Sequence, residues 1–498
     1  MSATTPFGAL LGVFMRHIGI QHRTKKTKEG EARPTIVTIL EEGKKPIVYE
    51  LEDEDAELNF VHGHFVTKWR TAEMEEDLTT LPKWQVRKVG KGDKEKTQVA
   101  VFWDGLTKGD VVTTVLGGSG DNFAFALSRK AEDVGAIVQR CTGKTLHDTR
   151  GARDKSEDAL TLAEIGRDSP ELTYKCEVRD RRYITVRELW FQLRDAMKYR
   201  IACEVQLRQK LNGERFRQPD GLYPEGSIED AYNARKASDL IFRGLLSQEK
   251  QIEKELVVAL GQVTVWPLFQ REEYKGCGPR TVARLIASIV DIRRFIVKPD
   301  EAEMQKLKQE CAEIERKFAN NLARISLADC PFRDAGGQKY WKLQKLASQT
   351  GSEDAKRAVQ LHKKRHQLRQ KAQEKSESKL VAFCGVHVML DGKFPRRRTG
   401  QMSNWSPAAR QAMYLLAEQW VKRPDSFWGR KLKENKARLR VIHPEILEVE
   451  GKKRYTDGHI HKMACWRTAT QFVRKLANDW IKLEGSPAIS SEKLQKAA

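Results

Sequence analysis

The sequence predicts an α/β region over residues 1–180 and a mainly helical region after it. Short apolar segments alternate with polar turns between positions 17 and 50, as they do in β-strands. From position 186 onward, apolar residues instead recur every three or four positions, which is the spacing of one face of a helix. This change of period indicates that the fold class changes along the chain.

Three segments in a row predict a leading β-meander: His17–Ile20, Thr35–Leu40 and Pro46–Glu50. The turns between them are rich in lysine or contain glycine. Residues 51–97 are polar and mixed in charge. We therefore expect them to form an insertion into the α/β domain.

The strands are predicted to resume after this insertion. The apolar runs Val99–Trp103 and Val111–Leu116 are typical of strands, and Gly135–Gln139 is a further short one. A helix is predicted between them at Asn122–Lys130. Strands interleaved with helices in this order predict a sheet that is at least partly parallel.

A group of acids follows the predicted sheet. If residues 147–165 form one helix, Asp154 lies three positions from Glu157 and four from Asp158, so these carboxylates share a face. Carboxylates placed in this way bind Mg²⁺ when acids from the sheet complete the site. A solvated acidic face is the alternative interpretation.

Two long amphipathic patterns, Val186–Leu211 and Ile228–Leu260, predict a pair of helices joined by a loop rich in proline and glycine at 212–226. Such a pair packs as an antiparallel hairpin. The predicted boundaries are 1–180 for the α/β domain, 181–262 for the hairpin, 263–485 for a helical C-terminal domain with a charged helical insertion at 300–378, and 486–498 for a disordered tail.

A glycine turn opens an apolar helix at Lys275–Phe295. Gly276 and Gly278 permit positive φ, and Pro279 suits the first helical position. Amide groups at such a helix N-terminus hold phosphate well. An ordinary turn before a core helix is the alternative. The predicted nucleic-acid contacts here are Lys275, Gly276, Gly278, Arg280 and Thr281.

A second predicted phosphate contact lies near position 400. Arg396, Arg397 and Arg398 precede Thr399 and Gly400, and guanidinium groups bind phosphate oxygens in pairs of hydrogen bonds. Further on, the basic stretch 422–440 contains Phe427 and Trp428. These two rings either stack on bases or are buried.

The composition supports a polyanionic partner. Lys and Arg number 90 against 68 Asp and Glu, which gives a formal charge of +22, and nucleic acid is the partner that such an excess favours. No apolar run approaches the length that spans a bilayer, so no membrane partner is expected. The eight cysteines lack a Cys-x-x-Cys pair, which predicts free thiols in a reducing compartment.

Several motifs, in order, resemble one family. They are Gly19-Ile-Gln-His-Arg23, Leu116-Gly-Gly-Ser-Gly120, Lys155-Ser-Glu-Asp-Ala159, Gly276-Cys-Gly-Pro279, Leu380-Val-Ala-Phe-Cys-Gly385 and Arg396-Arg-Arg-Thr-Gly400. The set is similar to that of the Piv-like DNA invertases and insertion-sequence transposases, which have a RuvC-like (RNase H-like) DEDD domain and some of which are guided by a bridge RNA. The resemblance implies a RuvC-like mixed sheet, a coiled-coil hairpin and a helical transposase domain with a helix-hairpin-helix-like turn.

The resemblance also implies a catalytic site from which this chain departs. The family holds Mg²⁺ with four acids and joins DNA through a serine. Here Gln21 replaces the first acid and Gly117 the second. Lys155 takes the third position, where Asp154 or Glu157 would have to stand in, and only Asp158 is in register. Thr399 stands at the position of the serine nucleophile.

We therefore expect a nucleic-acid-binding protein of transposase ancestry, with catalysis lost or weakened, that binds a structured guide RNA and DNA in the cytoplasm, near the nucleoid. Dimers or tetramers are expected from the family's composite site. The alternative is an active RNA-guided recombinase that uses Mg²⁺ at Asp154 and Asp158, a displaced acid such as Asp104, and Thr399 as nucleophile. A third hypothesis is an assembly protein that docks a partner through residues 300–378.

Overall fold

The computed structural model describes residues 15–24, 32–73, 75–90, 95–219, 227–333, 335–389, 393–396, 405–449 and 452–485. The chain divides into two compact units, unit 1 from Met1 to Trp266 and unit 2 from Pro267 to Ala498. Among the described residues, none of the helices combines the length and the apolar character needed to cross a lipid bilayer.

Unit 1 is built on a mixed sheet. In chain order its elements are β1 (His17–Gln21), β2 (Thr35–Leu40), β3 (Ile47–Leu51), α1 (Glu54–His62), β4 (Phe65–Thr71), β5 (Val86–Val89), β6 (Lys96–Asp104), β7 (Val111–Val115), α2 (Asp121–Val134), β8 (Ile137–Cys141), α3 (Gly143–Arg150), α4 (Asp158–Asp168), β9 (Thr173–Lys175), α5 (Val178–Phe216), α6 (Ser227–Ser238) and α7 (Leu240–Gly261).

Within the described residues, six strands form the main sheet in the order β3-β2-β1-β7-β8-β9. The first three strands pair antiparallel, as the predicted meander requires. β1 pairs parallel with β7, and β7 pairs parallel with β8. β9 closes the sheet antiparallel. The prediction of an α/β fold with a partly parallel sheet is confirmed.

Each face of the sheet is covered by helices. Ile18 and Ile20 of β1 lie in a buried apolar cluster with side chains of α1, α2 and the start of α5. The opposite face packs directly against α4 at Gly19. A Cβ atom added to Gly19 would lie 1.9 Å from the carbonyl oxygen of Ala159 and 2.4 Å from the amide nitrogen of Ala163. The main chains of strand and helix therefore touch without an intervening side chain.

The run Val99–Trp103 does not resume the main sheet, which corrects the prediction. It lies in β6, which pairs with β4 and β5 in a separate antiparallel sheet. Trp103 is 47 % exposed and packs edge-on against Trp84, with ring centroids 5.2 Å apart. This small sheet lies between β3 and β7 along the chain, so the inserted segment extends to Asp104.

α5 and α7 pack along each other as the predicted hairpin. Arg200 of α5 donates a 2.6 Å hydrogen bond from Nε to Glu249 of α7, and Glu249 is only 4 % exposed. The predicted second helix is divided in two, however. Asp239 accepts the amide of Phe242 and caps α7, because an aspartate at this position satisfies an unpaired first-turn amide better than it continues α6.

Unit 2 is mainly helical. Its elements are α8 (Trp266–Phe269), α9 (Pro279–Ile289), α10 (Glu301–Lys317), α11 (Ala319–Arg324), α12 (Ala335–Thr350), α13 (Glu353–Phe383), α14 (Pro407–Lys422), α15 (Phe427–Ile442), β10 (Leu447–Val449), β11 (Lys452–Arg454) and α16 (Asp457–Gly485). α9, α14, α15 and α16 surround one core, and α10, α12 and α13 pack together over a smaller one.

Candidate functional site

The carboxyl ends of β1 and β7 lie side by side, at the edge where the resemblance places the first two acids. β1 ends at Gln21, whose side-chain amide donates a 3.1 Å hydrogen bond to the carbonyl oxygen of Lys155. Gly117 follows β7 with φ at 82°, in the left-handed region. This edge therefore presents an amide and a bare backbone, and neither carries the negative charge that a divalent cation requires.

The acidic segment is not one continuous helix, so the prediction of three carboxylates on one helical face is wrong. α3 ends before Gly151, and a 3₁₀ turn at Lys155–Glu157 precedes α4, which begins at Asp158. Asp154 caps the 3₁₀ turn, and its Oδ1 accepts the amide of Ser156 at 2.8 Å. Backbone and side-chain hydrogen bonds from Ser156 lower the pKa of Asp154. Gly151, with φ at 61°, ends α3, and Asp154 then caps a new turn.

Asp158 is already paired with a protein cation. Its side chain accepts a 2.8 Å hydrogen bond from Nη1 of Arg150, and the two side chains are only 11 % and 10 % exposed. Nε of Arg150 has no hydrogen-bond partner among the described residues. Burial, with a smaller contribution from Asp158, raises the pKa of the nearby Cys141 thiol to about 12. Asp158, the one acid that aligns with the motif of the resembling family, therefore lies in an ion pair. It is next to a thiol that stays protonated.

Asp104 is far from this edge. It accepts a 2.9 Å hydrogen bond from Arg16, which directly precedes β1, and a 3.0 Å hydrogen bond from the hydroxyl of Tyr49. Gln21 is at the other end of β1, and a strand of this length spans about 15 Å. Asp104 is therefore too distant to complete a metal site with Asp158, contrary to the alternative of a rebuilt active site.

A cleft of about 970 Å³ opens beside the same edge and holds a histidine that the sequence did not single out. His22 Nδ1 lies 2.9 Å from the Ser119 hydroxyl, and Nε2 lies 3.4 Å from Glu57 Oε1. Burial alone would raise the pKa of Glu57, but hydrogen bonds from His22 and Thr35 hold it below its ordinary value. At 3.4 Å the contact between His22 and Glu57 is at the long end of hydrogen-bonding distances, and the same oxygen of Glu57 accepts a 2.6 Å hydrogen bond from the Thr35 hydroxyl.

The glycine turn has the predicted positive φ at Gly276 but not at Gly278, which is extended with φ at −68°. Gly276 has φ at 104°, Gly278 is the N-cap of α9, and Pro279 is its first residue. Gly278 has no side chain that could cap the helix, and the first turn of α9 carries no acid. No acidic side chain of that first turn therefore offsets the positive end of the helix dipole. Of the other predicted contact residues, Lys275 is exposed, whereas Arg280 and Thr281 are half-buried.

One basic side chain lies beside this turn, and the helix that packs before the turn exposes others. Arg423 lies beside it, since a Cβ atom added to Gly276 would be 3.4 Å from its Nη1. α15 packs against residues 272–274, which lead into the turn. The exposed side of α15 carries Lys433, Lys436 and Arg438. We define the basic surface as the turn at 275–278, Arg423 and these three residues of α15.

The second predicted phosphate contact falls mostly outside the described residues. Arg396 is exposed, whereas Arg397, Arg398, Thr399 and Gly400 lie outside that part of the chain. In the basic stretch beyond, Trp428 is 3 % exposed and packs against Phe472, with ring centroids 5.3 Å apart. Trp428 is therefore a core residue and does not stack on bases.

One further group of side chains, among the residues that the structure describes, has the composition of a metal site: Cys311, Glu315 and His362. Cys311 and Glu315 are one turn apart on α10, and His362 lies on α13. The sequence did not point to this group, because histidine and cysteine are far apart along the chain. It belongs to unit 2 and is unrelated to the magnesium site expected at Asp154 and Asp158 in unit 1.

The sequence matches no protein-family model and no curated protein. The resemblance to the DEDD transposases therefore depends on the ordered motifs alone.

Proposed function

We propose that the protein is a nucleic-acid-binding relative of the DEDD transposases in which a protein ion pair replaces the metal-binding acids. This proposal depends on one observation, the ion pair between the largely buried side chains of Arg150 and Asp158. A divalent cation needs several anionic oxygen ligands, and Mg²⁺ holds to near-ideal octahedral geometry. Gln21 and Gly117 supply no negative charge, and Asp158 is already neutralised.

The fold of unit 1 and the charge of the chain support the same proposal. Three antiparallel strands followed by parallel ones are the arrangement expected of a RuvC-like sheet. The formal charge of +22 favours a polyanion. The basic surface combines a helix N-terminus whose first turn carries no acid with exposed lysine and arginine side chains, which suits contact with phosphates rather than with bases. We infer a structured RNA as the main ligand, with DNA as its target and the nucleoid as the place of action.

The test is to purify the protein from its native cell without nuclease, wash it at high salt and sequence the RNA that remains bound. We expect one discrete RNA, and no strand cleavage when Mg²⁺ is added. Random RNA fragments, or none, would contradict guided binding. Mg²⁺-dependent cleavage that is lost in Asp158→Asn would instead support the alternative, an active recombinase.

Charge reversal on the basic surface should weaken RNA binding. The variant Lys433→Glu/Lys436→Glu/Arg438→Glu removes three exposed cations from α15, so we expect affinity at physiological salt to fall roughly tenfold or more. The slope of log affinity against log salt should decrease by about one for each lost phosphate contact. Fluorescence anisotropy with the copurified RNA measures both quantities.

The matched control has the same change in net charge at exposed positions of unit 1, Lys45→Glu/Lys83→Glu/Lys96→Glu. An equal loss of affinity in this control would show that binding depends on net charge and not on the basic surface.

A further inference from the structure

The small core of α10, α12 and α13 contains a cluster of polar side chains that the proposed function does not use. Cys311 is 1 % exposed, and the side chains of Glu315 and His362 are 12 % and 14 % exposed. Cys311, Glu315 and His362 face one another, with one potential ligand atom of each within 4.8 Å of the others. We propose that these three residues bind Zn²⁺.

The spacing of the ligand atoms fits zinc. A tetrahedral ion with Zn–S of about 2.3 Å and Zn–N and Zn–O of about 2.0 Å places its ligand atoms roughly 3.3–3.6 Å apart. Cys311 Sγ lies 3.3 Å from Glu315 Oε1, and His362 Nε2 lies 3.1 Å from the same oxygen. The remaining sulfur and nitrogen atoms lie within 4.8 Å of each other, so zinc would have to draw these two side chains together.

The hydrogen bonds show which proton the metal would displace. The Cys311 thiol donates to Glu315 Oε1, and His362 Nε2 contacts the same oxygen. When Zn²⁺ binds, the thiol releases its proton to solvent, and His362 coordinates through Nε2 with its remaining proton on Nδ1. The thiolate and the carboxylate bring two negative charges to the ion, and Glu315 shares its charge with Lys339. Water takes the fourth position.

Lys339 leaves the required oxygen of Glu315 available. Its Nζ lies 2.5 Å from Oε2, the other oxygen of the same carboxylate. The lysine therefore holds the carboxylate with Oε1 directed at Cys311 and His362. Partners of this kind orient metal ligands and contribute to metal affinity. Lys339 is thus a positioning residue and not a ligand.

Zinc at this position would join α10 to α13. The core that these helices share with α12 contains few buried apolar side chains, namely Leu307, Cys311, Ile314, Leu343, Ala358 and Leu361. A metal bound only by the folded state stabilises that state in proportion to the logarithm of its free concentration. The expected role is therefore structural, to hold the charged helical insertion in one conformation.

The experiment uses the full chain, treated with a chelator and then titrated with Zn²⁺, with bound metal measured by mass spectrometry. We expect one Zn²⁺ per chain. Co²⁺ in place of Zn²⁺ should show a sulfur-to-cobalt charge-transfer band, which reports a thiolate ligand. His362→Gln and Cys311→Ser should each remove stoichiometric binding, and Lys339→Met should weaken it roughly tenfold.

Cys330→Ser/His366→Ala is the control, because it removes the same two residue types from positions outside the cluster in the same helical insertion. Since Cys311→Ser also alters the core, far-UV circular dichroism must show an unchanged helix content before its result is used. His362→Gln provides an independent test at a less buried position. Zinc binding that is unchanged in His362→Gln, or lost equally in the control, would overturn the proposal. Neither outcome depends on nucleic-acid binding.

Discussion

Gly19→Ala should destabilise unit 1 by about 4 kcal/mol or more, an exceptional cost for one methyl group. The added Cβ would lie 1.9 Å from the carbonyl oxygen of Ala159, and main-chain atoms cannot move aside as a flexible side chain can. α4 would have to shift away from β1. Hydrogen exchange of peptides from β1 and α4 measures the loss, and exchange in unit 2 should stay unchanged.

Gly143→Ala is the matched control for this substitution. Gly143 is the first residue of α3, and a Cβ atom added there meets nothing within 4 Å. We expect a change within about 1 kcal/mol, in the direction of a gain in stability. If the two variants lowered protection equally, direct contact between α4 and β1 would be contradicted.

Arg150→Ala should cost about 3–5 kcal/mol, because it leaves the carboxylate of Asp158 buried and unpaired. Arg153→Ala is the control. Arg153 forms a pair with Glu164 in which the side chains are 39 % and 26 % exposed, so its loss should lower the unfolding temperature far less than the loss of Arg150 does. Thermal unfolding and hydrogen exchange of α3 and α4 peptides compare the two variants.

A double variant separates the ion pair from a metal site. Arg150→Met/Asp158→Asn removes both charges, so it should be more stable than Arg150→Ala. Millimolar Mg²⁺ should not change the unfolding temperature of the wild-type protein. A stabilisation by Mg²⁺ that disappears in Asp158→Asn would show that Asp158 binds the ion, and would contradict the proposed function.

The strands could be predicted because period-two alternation is a local property of the sequence. Which sheet a strand joins is not local. Val99–Trp103 has the same apolar character as Val111–Leu116, yet it pairs with β4 and β5 across the inserted segment. The β-propensity of a segment shows that its side chains suit a half-buried strand, but it does not specify which strand pairs with it.

Two helix boundaries also differ from the prediction, because the spacing of apolar residues does not show where a helix ends. Asp154 and Asp239 fit a helical pattern by spacing, but each caps a new helical segment in the structure. Capping and continuation compete at such positions, and tertiary packing decides between them.

Local sequence patterns predict even less of the candidate sites. The turn at Gly276 is contiguous in sequence, and the positive φ of Gly276 was predicted correctly, whereas Gly278 is extended. The contact of His22 with Glu57 joins the end of β1 to α1 in the following segment, and the Cys311 cluster joins α10 to α13. No short motif contains both partners in either case. Such sites become visible only when the topology brings distant segments together.

The left-handed turn at Gly117 limits which residues can follow β7. Gln21 ends a regular strand, so an acid placed there meets no backbone strain. At Gly117, with φ at 82°, an added side chain carries a penalty of about 1–2 kcal/mol. The two neighbouring strand ends therefore differ in how well they tolerate an added carboxylate. Gln21→Asp should be neutral for the fold, whereas Gly117→Asp should destabilise it.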